Sequence, residues 1–280
     1  MRLCVFMFVA VMNVGTNAIH GLDAAGATPF RSAAPGEIVV SVAANGHGPF
    51  AFLLDTGSSH SSISESLSRR LGTPLVAQAL VTSPIGGRMR TIAALDRMEV
   101  GPTATRGVLA SVVPDEDLDA RGVIDGVIGQ DVLTTRRYTI DFQQRRVLWH
   151  TPAEPAPPGA ASFTLHPAAG VFLVELPQDG PSLYLVPDSG SQGLVLYRRD
   201  DRRLPPLRPA GRTRLSTTTS TAEAQTIRVA ELRVGQMSFV DVPAVLIDQH
   251  HTTSQGDGFL PLHLFERVTF DGPARRLTVR

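Results

Sequence analysis

Short apolar runs that stop at turn residues recur along most of this chain, and such runs are typical of β-strands. A first run covers residues 37–42 and is followed by Asn45–Gly46, a two-residue hairpin signal. A second run, residues 50–54, stops at Asp55. The pattern predicts a mainly β protein built from short strands and tight turns.

Helix signals are few. Residues 64–71 carry Ser64 as an N-cap and Gly72 as a C-cap, with an acidic residue in the first turn and basic residues in the last, so we predict a short helix there. A second short helical turn is predicted directly after Gly129. Neither is long enough to change the predicted class.

The strand pattern occurs again in the second half of the chain. Residues 171–176 and 183–186 repeat the two runs, with Asp179–Gly180 between them, and the second run leads to Asp188, 133 positions after Asp55. Later landmarks pair in the same order at offsets of 130 to 134 positions: Val100–Gly101 with Val234–Gly235, Asp125–Gly129 with Asp257–Pro261, Thr139–Asp141 with Thr269–Asp271, and Arg145–Val147 with Arg275–Leu277. The chain is therefore predicted to be a tandem duplication of one β-rich unit.

The duplication and the residues between its copies predict four segments. Residues 1–25 hold a signal peptide and the start of the mature chain, and residues 30–150 form the first lobe. Residues 151–162 form a proline-rich linker, because prolines supply no sheet donors and favour an extended spacer. Residues 163–280 form the second lobe.

The N-terminus has the pattern of an export signal. Arg2 precedes an apolar run of twelve residues, 3–14, which is shorter than the ~20 residues that span a bilayer. We therefore expect a cleaved signal peptide, export to the periplasm or the medium, and no membrane association after cleavage. A retained membrane anchor is the alternative.

Composition narrows the function classes. Of 280 residues, 42% are hydrophobic and 19% charged, which excludes a disordered chain. Basic and acidic residues balance at 26 each, so no nucleic-acid partner is expected. Cys4 is the only cysteine, which excludes a disulfide scaffold and a thiolate metal cluster. His250, His251 and His263 lack helical ligand spacing and are assigned to loops, so we predict no metal and no cofactor.

The pattern Asp–(Thr or Ser)–Gly occurs at equivalent positions of both copies, residues 55–57 and 188–190, each time at the end of an apolar strand. Alone, so short a pattern is usually a turn in which Asp bonds its own backbone. In a duplicated chain, however, a pseudo-twofold axis can bring the two loops face to face. Two carboxylates about 3 Å apart share one proton. Such a pair can act as general base and general acid on a bound water.

These residues resemble the catalytic loops of the aspartic peptidases. Leu53–Ser59 resembles the first loop of pepsin-like enzymes, and Asp188–Ser191 resembles the second. The bacterial, single-chain, retropepsin-like branch fits best, because each copy is short and holds no disulfide. The resemblance covers residues 36–150 and 163–280, and it implies an all-β fold of two tandem, pseudo-symmetric acid-protease-type β-barrel lobes with a few short helices.

The resemblance also implies roles for individual residues. Asp55 and Asp188 would hold the nucleophilic water between them. Thr56 and Ser189 would hydrogen-bond across to the opposite loop and lock the lobes together. Val127, Ile128 and Gly129 would form the psi-loop that crosses beneath the first catalytic loop.

The remaining loop residues are Gly57, Ser58, Gly190 and Ser191. The resemblance implies that the hydroxyls of Ser58 and Ser191 donate to the outer oxygens of the catalytic carboxylates. Such donors favour the charged form and lower the first pKa of the pair. We therefore predict an acidic pH optimum.

A cover for the cleft is also predicted. Residues 80–90 have the pattern of a hairpin in the place where the family carries its flap, and residues 215–225, rich in Thr and Ser, are a candidate second flap. The predicted Gly-rich tip consists of Ser83, Pro84, Ile85, Gly86 and Gly87. An ordinary surface hairpin is the alternative for residues 80–90.

Three features depart from the family pattern. Pro187 directly precedes Asp188 and removes a backbone donor, and Pro261 stands where the second psi-loop ordinarily has Gly. The first flap carries no Tyr. The first two departures fall in the second copy.

The sequence thus predicts an exported, monomeric aspartic endopeptidase that hydrolyses peptide bonds with a water activated by Asp55 and Asp188. Its partner would be a peptide or protein substrate with apolar residues flanking the cleaved bond. The main alternative is an inactive exported module that keeps the fold to bind peptides or proteins. A third possibility is that one lobe pairs with another chain to build the site.

Overall fold

The computed structural model describes residues 26–32, 36–118, 123–149, 159–199, 204–248 and 256–280. The predicted signal segment 1–25 lies outside these residues, and so does most of the predicted linker 151–162. Residues 161–162 of that linker belong to a strand. Across the described ranges, no helix is long and apolar enough to cross a membrane.

The first half of the chain is mainly β. Its strands are β1 (Ala27–Pro29), β2 (Val39–Ala44), β3 (His47–Leu54), β4 (Ser62–Ser64), β5 (Leu75–Ser83), β6 (Gly86–Val100), β7 (Thr103–Val113), β8 (Gly126–Ile128), β9 (Arg137–Asp141) and β10 (Arg146–Trp149). Its helices are α1 (Glu65–Leu71), α2 (Asp115–Leu118) and α3 (Gln130–Leu133). The two predicted helices are confirmed as α1 and α3. In α1 the Ser64 hydroxyl accepts the Leu67 N–H, and Gly72 ends the helix in the left-handed conformation.

The second half repeats this architecture. Its strands are β11 (Ala161–Thr164), β12 (His166–Ala168), β13 (Val171–Leu176), β14 (Leu183–Asp188), β15 (Leu194–Arg198), β16 (Leu207–Ser216), β17 (Thr221–Val234), β18 (Met237–Asp248), β19 (Gly258–Pro261), β20 (Arg267–Asp271) and β21 (Arg276–Val279). A 3₁₀ turn, Leu262–Leu264, takes the place of α3.

Each lobe has its own sheet, and a third sheet joins them. The first lobe has strand order β2-β3-β8-β4-β7-β6-β5, and the second has β12-β13-β14-β19-β15-β18-β17-β16. In the joining sheet, the equivalent strands β9 and β20 pair antiparallel, with Thr139 opposite Thr269 and their hydroxyls 2.7 Å apart. Because equivalent residues meet there, the pseudo-twofold axis passes through this pair. The predicted all-β fold of two pseudo-symmetric lobes is confirmed.

Strand register matches between the lobes. In the first lobe β4 lies between a parallel and an antiparallel neighbour, and in the second lobe β15 does. The pairing of each strand with its two neighbours shows which residues of the two lobes are equivalent. The equivalent triplets are Ser62 with its partners Ser111 and Val127, and Val195 with its partners Val245 and Phe259. The duplication predicted from the sequence therefore extends to individual strand pairs.

Alternation along the strands builds the core. On β3, Phe50, Phe52 and Leu54 point inward while their neighbours are only partly buried, as a strand with one buried face requires. On β15, Leu194 and Leu196 point into the core of the second lobe, but their neighbours are buried as well, because a second apolar cluster covers the other face. The apolar face of β3 ends at Leu54, so the next residue emerges from the core at the junction between the lobes.

Two long hairpins extend from the lobes. In the first, β5 and β6 pair as far as Ser83 and Gly86, so the turn consists of Pro84 and Ile85. The predicted tip, residues 83–87, contains this turn, but its glycines do not form it: Gly86 and Gly87 begin the return strand. The hairpin itself is confirmed. In the second lobe, β16 and β17 form the equivalent hairpin, and its turn is residues 217–220.

Candidate active site

Asp55 stands where β3 leaves the core. Its N–H donates to the Ile128 carbonyl at 3.0 Å, which ties it to β8. The chain then turns sharply, so that the N–H groups of Gly57 and Ser58 point back to the Asp55 carboxylate. They donate to its Oδ1 at 2.9 and 3.1 Å.

Asp188 repeats this arrangement at the end of β14. The Gly190 N–H donates to Asp188 Oδ1 at 2.7 Å, and the Ser191 N–H also bonds this carboxyl group. Asp188 is 8% exposed. Each lobe thus presents one carboxyl group held by the backbone of its own loop.

The two carboxyl groups meet at the junction of the lobes and hydrogen-bond to each other. Each loop glycine lies against the opposite carboxyl group. A Cβ placed on Gly57 would lie 2.5 Å from the Asp188 Cγ, and one on Gly190 would lie 2.8 Å from the Asp55 Cγ. Real Cβ atoms do not approach so closely, so the contact between Asp55 and Asp188 requires glycine at both positions.

Burial shifts the titration of both acids. It raises the pKa of Asp55, and hydrogen bonds from Asp188 and from the Gly57 and Ser58 N–H groups partly offset this effect. Burial and the nearby charge of Asp55 raise the pKa of Asp188 well above its ordinary value. The pair therefore keeps a proton to a higher pH than an exposed carboxyl group does, and that proton belongs to the pair as a unit.

Thr56 and Ser189 link the two loops symmetrically. The Thr56 hydroxyl donates to the Pro187 carbonyl at 2.7 Å and accepts the Ser189 N–H at 3.0 Å. The Ser189 hydroxyl donates to the Leu54 carbonyl at 2.7 Å and accepts the Thr56 N–H at 3.1 Å. Both side chains are buried, at 1% exposure, so these four bonds are shielded from water.

The hydroxyls of Ser58 and Ser191 differ from the prediction. Ser58 Oγ donates to the His60 carbonyl at 2.8 Å, and Ser191 Oγ donates to the Gly193 carbonyl at 2.6 Å. A hydroxyl has one proton to donate, so neither is free to donate to a carboxylate. The expectation that these hydroxyls bond the outer oxygens is wrong; both serines bond the acids through their N–H groups.

Val127, Ile128 and Gly129 lie beneath the first loop. Val127 and Ile128 belong to β8, which lies between β3 and β4. A Cβ on Gly129 would lie 2.5 Å from the His60 carbonyl carbon, so only glycine fits there. The Gly129 N–H donates to Ser61 Oγ at 3.1 Å.

The tips of the two hairpins touch each other. Ser83 Oγ accepts the hydroxyls of Thr217 at 3.0 Å and Thr219 at 2.7 Å. The Arg90 guanidinium, almost fully buried, bonds Asp117 of its own lobe at 2.7 Å and the Thr218 carbonyl of the other. These contacts join residues of both lobes.

Comparison with known proteins assigns the chain to a family. The sequence model of the family described as aspartyl protease matches residues 40–132 and 175–261, which together make up more than half of the chain. The chain belongs to the aspartyl protease family. The resemblance stated from the catalytic loops is therefore confirmed. No curated protein sequence matches the chain.

Two solved structures share the fold, and a third matches with a lower score. The aspartic proteinase from Irpex lacteus is 13% identical with a TM-score of 0.51, and the match covers 91% of this chain and 96% of that one. Conglutin gamma, a basic 7S globulin from lupine seeds, is 12% identical with a TM-score of 0.50, covering 91% and 94%. A retropepsin-like aspartic protease from Rickettsia conorii is 16% identical with a TM-score of 0.34, covering 44% and 87%.

The chain accommodates both unusual prolines. Pro187 has no N–H to repeat the bond from Leu54 to Ile38, but its carbonyl still accepts the Thr56 hydroxyl. Pro261 precedes the 3₁₀ turn with extended backbone angles, φ −70° and ψ 125°, where Gly129 precedes α3. Neither proline prevents Asp188 from reaching the contact with its partner acid.

Two further residues support the loops and were not predicted. Gln130, 3% exposed, donates from Nε2 to the Thr56 carbonyl at 2.9 Å. His263 lies beside the Ser191 backbone, and burial lowers its pKa. The sequence offered one signal for Gln130: it is a polar residue directly after the psi-loop in an apolar segment. For His263 it offered none beyond its position after Pro261.

The described residues were predicted to hold no metal site. Among the residues described, no group of three His, Cys, Asp or Glu side chains converges on a metal site. His250 and His251 lie outside the described residues. The carboxyl groups of Asp55 and Asp188 bond each other and backbone N–H groups, a set of partners suited to acid–base chemistry.

Proposed function

We propose that this chain is an exported aspartic endopeptidase that hydrolyses peptide bonds with a water activated by Asp55 and Asp188. One observation carries the proposal: the carboxyl groups of Asp188, which is buried, and Asp55, which is partly buried, hydrogen-bond each other on the pseudo-twofold axis, between loops joined by the Thr56 and Ser189 hydroxyls. Two acids that share a proton supply a base and an acid in one place.

The first half of the reaction uses both acids. Ionised Asp55, stabilised by the N–H groups of Gly57 and Ser58, accepts a proton from the bound water. The water oxygen attacks the peptide carbonyl carbon, and Asp188 gives its proton to the carbonyl oxygen. The raised pKa of Asp188 suits it to hold that proton before the attack. The product of this step is a neutral tetrahedral diol.

The second half returns the protons. Asp55 gives its proton to the amide nitrogen, the C–N bond breaks, and one diol hydroxyl returns a proton to Asp188. The carboxyl and amine products leave, and the acids regain their starting protonation. The nucleophile is water, so no covalent acyl-enzyme forms.

The touching hairpins support a role as flaps. A peptide has to pass them to reach the acids, and closing over it would exclude water from the site. Because one chain supplies both acids, the proposal includes a monomeric enzyme. It also includes cleavage of the N-terminal signal and export. N-terminal sequencing of the protein recovered from the periplasm or the medium tests signal cleavage and export. Light scattering, which gives the mass of the protein in solution, tests the monomeric state.

A matched set of variants tests the chemistry. The mature protein, Asp55→Asn and Asp188→Asn are incubated with a mixed peptide library from pH 3 to 8, and cleavage is read by mass spectrometry. Asp179→Asn, at a side chain 76% exposed, is the control for loss of a carboxylate. We expect both active-site variants to lose about 10²- to 10⁴-fold in kcat, and the control to match the wild type.

The other outcomes are equally informative. A wild-type protein that binds library peptides but cleaves none at any pH would support the inactive binding module. Cleavage that survives Asp188→Asn but not Asp55→Asn would support a site completed by another chain. A pH profile that peaks above neutrality would contradict the predicted acidic optimum, which the N–H donors to Asp55 support in place of the serine hydroxyls because they lower its pKa.

A further inference from the structure

The two faces of β15 pack against different apolar clusters. Leu194 and Leu196 join the main core, whereas Val195 packs on the opposite side of the sheet. There it belongs to a separate apolar cluster. We call the part formed by Val195, Val245, Ile247 and Phe259 the second-lobe wall.

The second-lobe wall lies between the flaps and the catalytic loop. Ile85, at the tip of the first-lobe hairpin, packs against it, and so does Leu215 of the second hairpin. Phe259 pairs with Val186, two residues before Asp188. A side chain of a peptide held beneath the flaps and beside Asp188 would therefore contact this wall.

The first lobe has a different surface at the equivalent positions. Strand register equates Val195 with Ser62, Val245 with Ser111 and Phe259 with Val127. The hydroxyls of Ser62 and Ser111 are 2.8 Å apart and hydrogen-bonded. We call Ser62, Ser111 and Val127 the first-lobe wall. It is smaller and more polar than its counterpart, because two valines are replaced by serines and an aromatic ring by a valine.

The flap tips differ in the same direction. The first tip is Pro84–Ile85, and Ile85 lies on the apolar second-lobe wall. The equivalent tip of the second hairpin, residues 217–220, is Thr-Thr-Thr-Ser. The cover of the second-lobe wall is therefore apolar like the wall itself, whereas the tip of the other hairpin is rich in hydroxyl groups.

We infer that the cleft selects peptides with a large apolar side chain on one side of the cleaved bond and a small or hydroxyl-bearing side chain on the other. The inference rests on the proposed function and makes its substrate class more specific. Apolar residues on both sides, as the family resemblance suggested, would place one of them against Ser62 and Ser111. An apolar pocket gains from each methylene it buries, whereas a hydroxyl-lined wall gains little.

Wall residues can be exchanged between lobes to test this. Val195→Ser and Phe259→Val each give the second lobe the residue that the first lobe has. Val240→Ser is the matched control, because Val240 is 75% exposed on β18. The full mature chain and its variants are compared on two peptides that differ only in one flanking residue, Phe or Ser.

We expect the wild type to require Phe or Leu at one flanking position and to accept Ser, Thr or Ala at the other. Each wall variant should lower kcat/KM for the Phe peptide by about 10-fold or more and leave the Ser peptide nearly unchanged. The control should change neither. Equal demand for apolar residues at both positions would overturn the inference, as would equal losses on both peptides.

A binding measurement separates this inference from the proposed function. Peptides whose cleaved amide is replaced by a CH₂–NH group carry Phe on one side, the other side or both, and their Kd is measured by calorimetry. We expect a single Phe on the favoured side to bind as tightly as two, and Val195→Ser to weaken it by about 10-fold. That pattern without cleavage of any library peptide would refute the peptidase and keep the asymmetric cleft. Equal binding of the two single-Phe peptides would refute the asymmetry.

Discussion

Removing one hydroxyl at the junction of the lobes is a direct test of how the site is held. In Thr56→Val the side chain keeps its shape but loses the hydroxyl that donates to the Pro187 carbonyl and accepts the Ser189 N–H. Thr56 is 1% exposed, so water cannot replace either partner. The substitution leaves a buried carbonyl and a buried N–H unpaired, one on each side of the Asp188 loop.

The expected cost follows from these two groups. An unpaired buried polar group costs about 1–3 kcal/mol, so the free energy of unfolding should fall by about 2–6 kcal/mol. That is a large share of the roughly 5–15 kcal/mol by which most proteins are stable. A shift of the loop by about 1 Å also costs about 10²-fold in rate, so kcat/KM should fall with stability.

Urea unfolding and peptide cleavage measure the two effects. Thr56→Ser keeps the hydroxyl and makes the first loop match Ser189, so it should retain both properties. Thr73→Val is the control for a buried hydroxyl elsewhere, because Thr73 bonds Ser68 at 2.7 Å beyond α1. It should lower stability and spare kcat/KM. The reasoning fails if Thr56→Val unfolds within about 1 kcal/mol of the wild type and cleaves as fast as Thr56→Ser.

Three further substitutions test the site. The pKa of Asp188 is raised in the folded protein, so its contribution to stability is full at low pH and is lost as pH rises through that pKa. Asp188→Asn should therefore gain thermal stability relative to wild type from pH 3 to 8; a difference independent of pH would contradict this. Gly57→Ala should abolish most cleavage because its Cβ would lie 2.5 Å from the Asp188 Cγ, whereas Gly180→Ala, with nothing within 4 Å, should cleave normally. Gly129→Ala should lower the free energy of unfolding in urea by about 1–3 kcal/mol, because the His60 backbone blocks its Cβ; an unchanged free energy of unfolding would show that the loop moves freely.

Local elements were predictable from the sequence because their causes are local. Ser64 and Gly72 cap α1 through bonds within one helical turn, and Asn45–Gly46 turns the first hairpin. The predicted tip, residues 83–87, contains the turn at Pro84–Ile85 but extends it over Gly86 and Gly87, because glycine content indicates a bend but not the strand register that sets its ends.

The contents of the candidate site were predictable only in part. The repeat identifies Asp55 and Asp188 as equivalent, yet the partner of the Ser58 hydroxyl depends on how the loop folds back onto His60. The Gln130 side chain bonds the Thr56 carbonyl only because β8 passes beneath the first loop. Such contacts depend on exact backbone paths that composition and spacing do not record.

The sequence by itself determined the strands, their duplication and the two acids that the duplication makes equivalent. It did so because alternation, turn residues and repetition are properties of residues near one another in the chain. Only the tertiary structure decided that Ile85 of one lobe packs on the wall around Val195 of the other, and that Ser62 and Ser111 take the place of that wall in the first lobe. Those facts depend on strand register and on packing between distant segments, which convert two copies of one pattern into two different halves of a cleft.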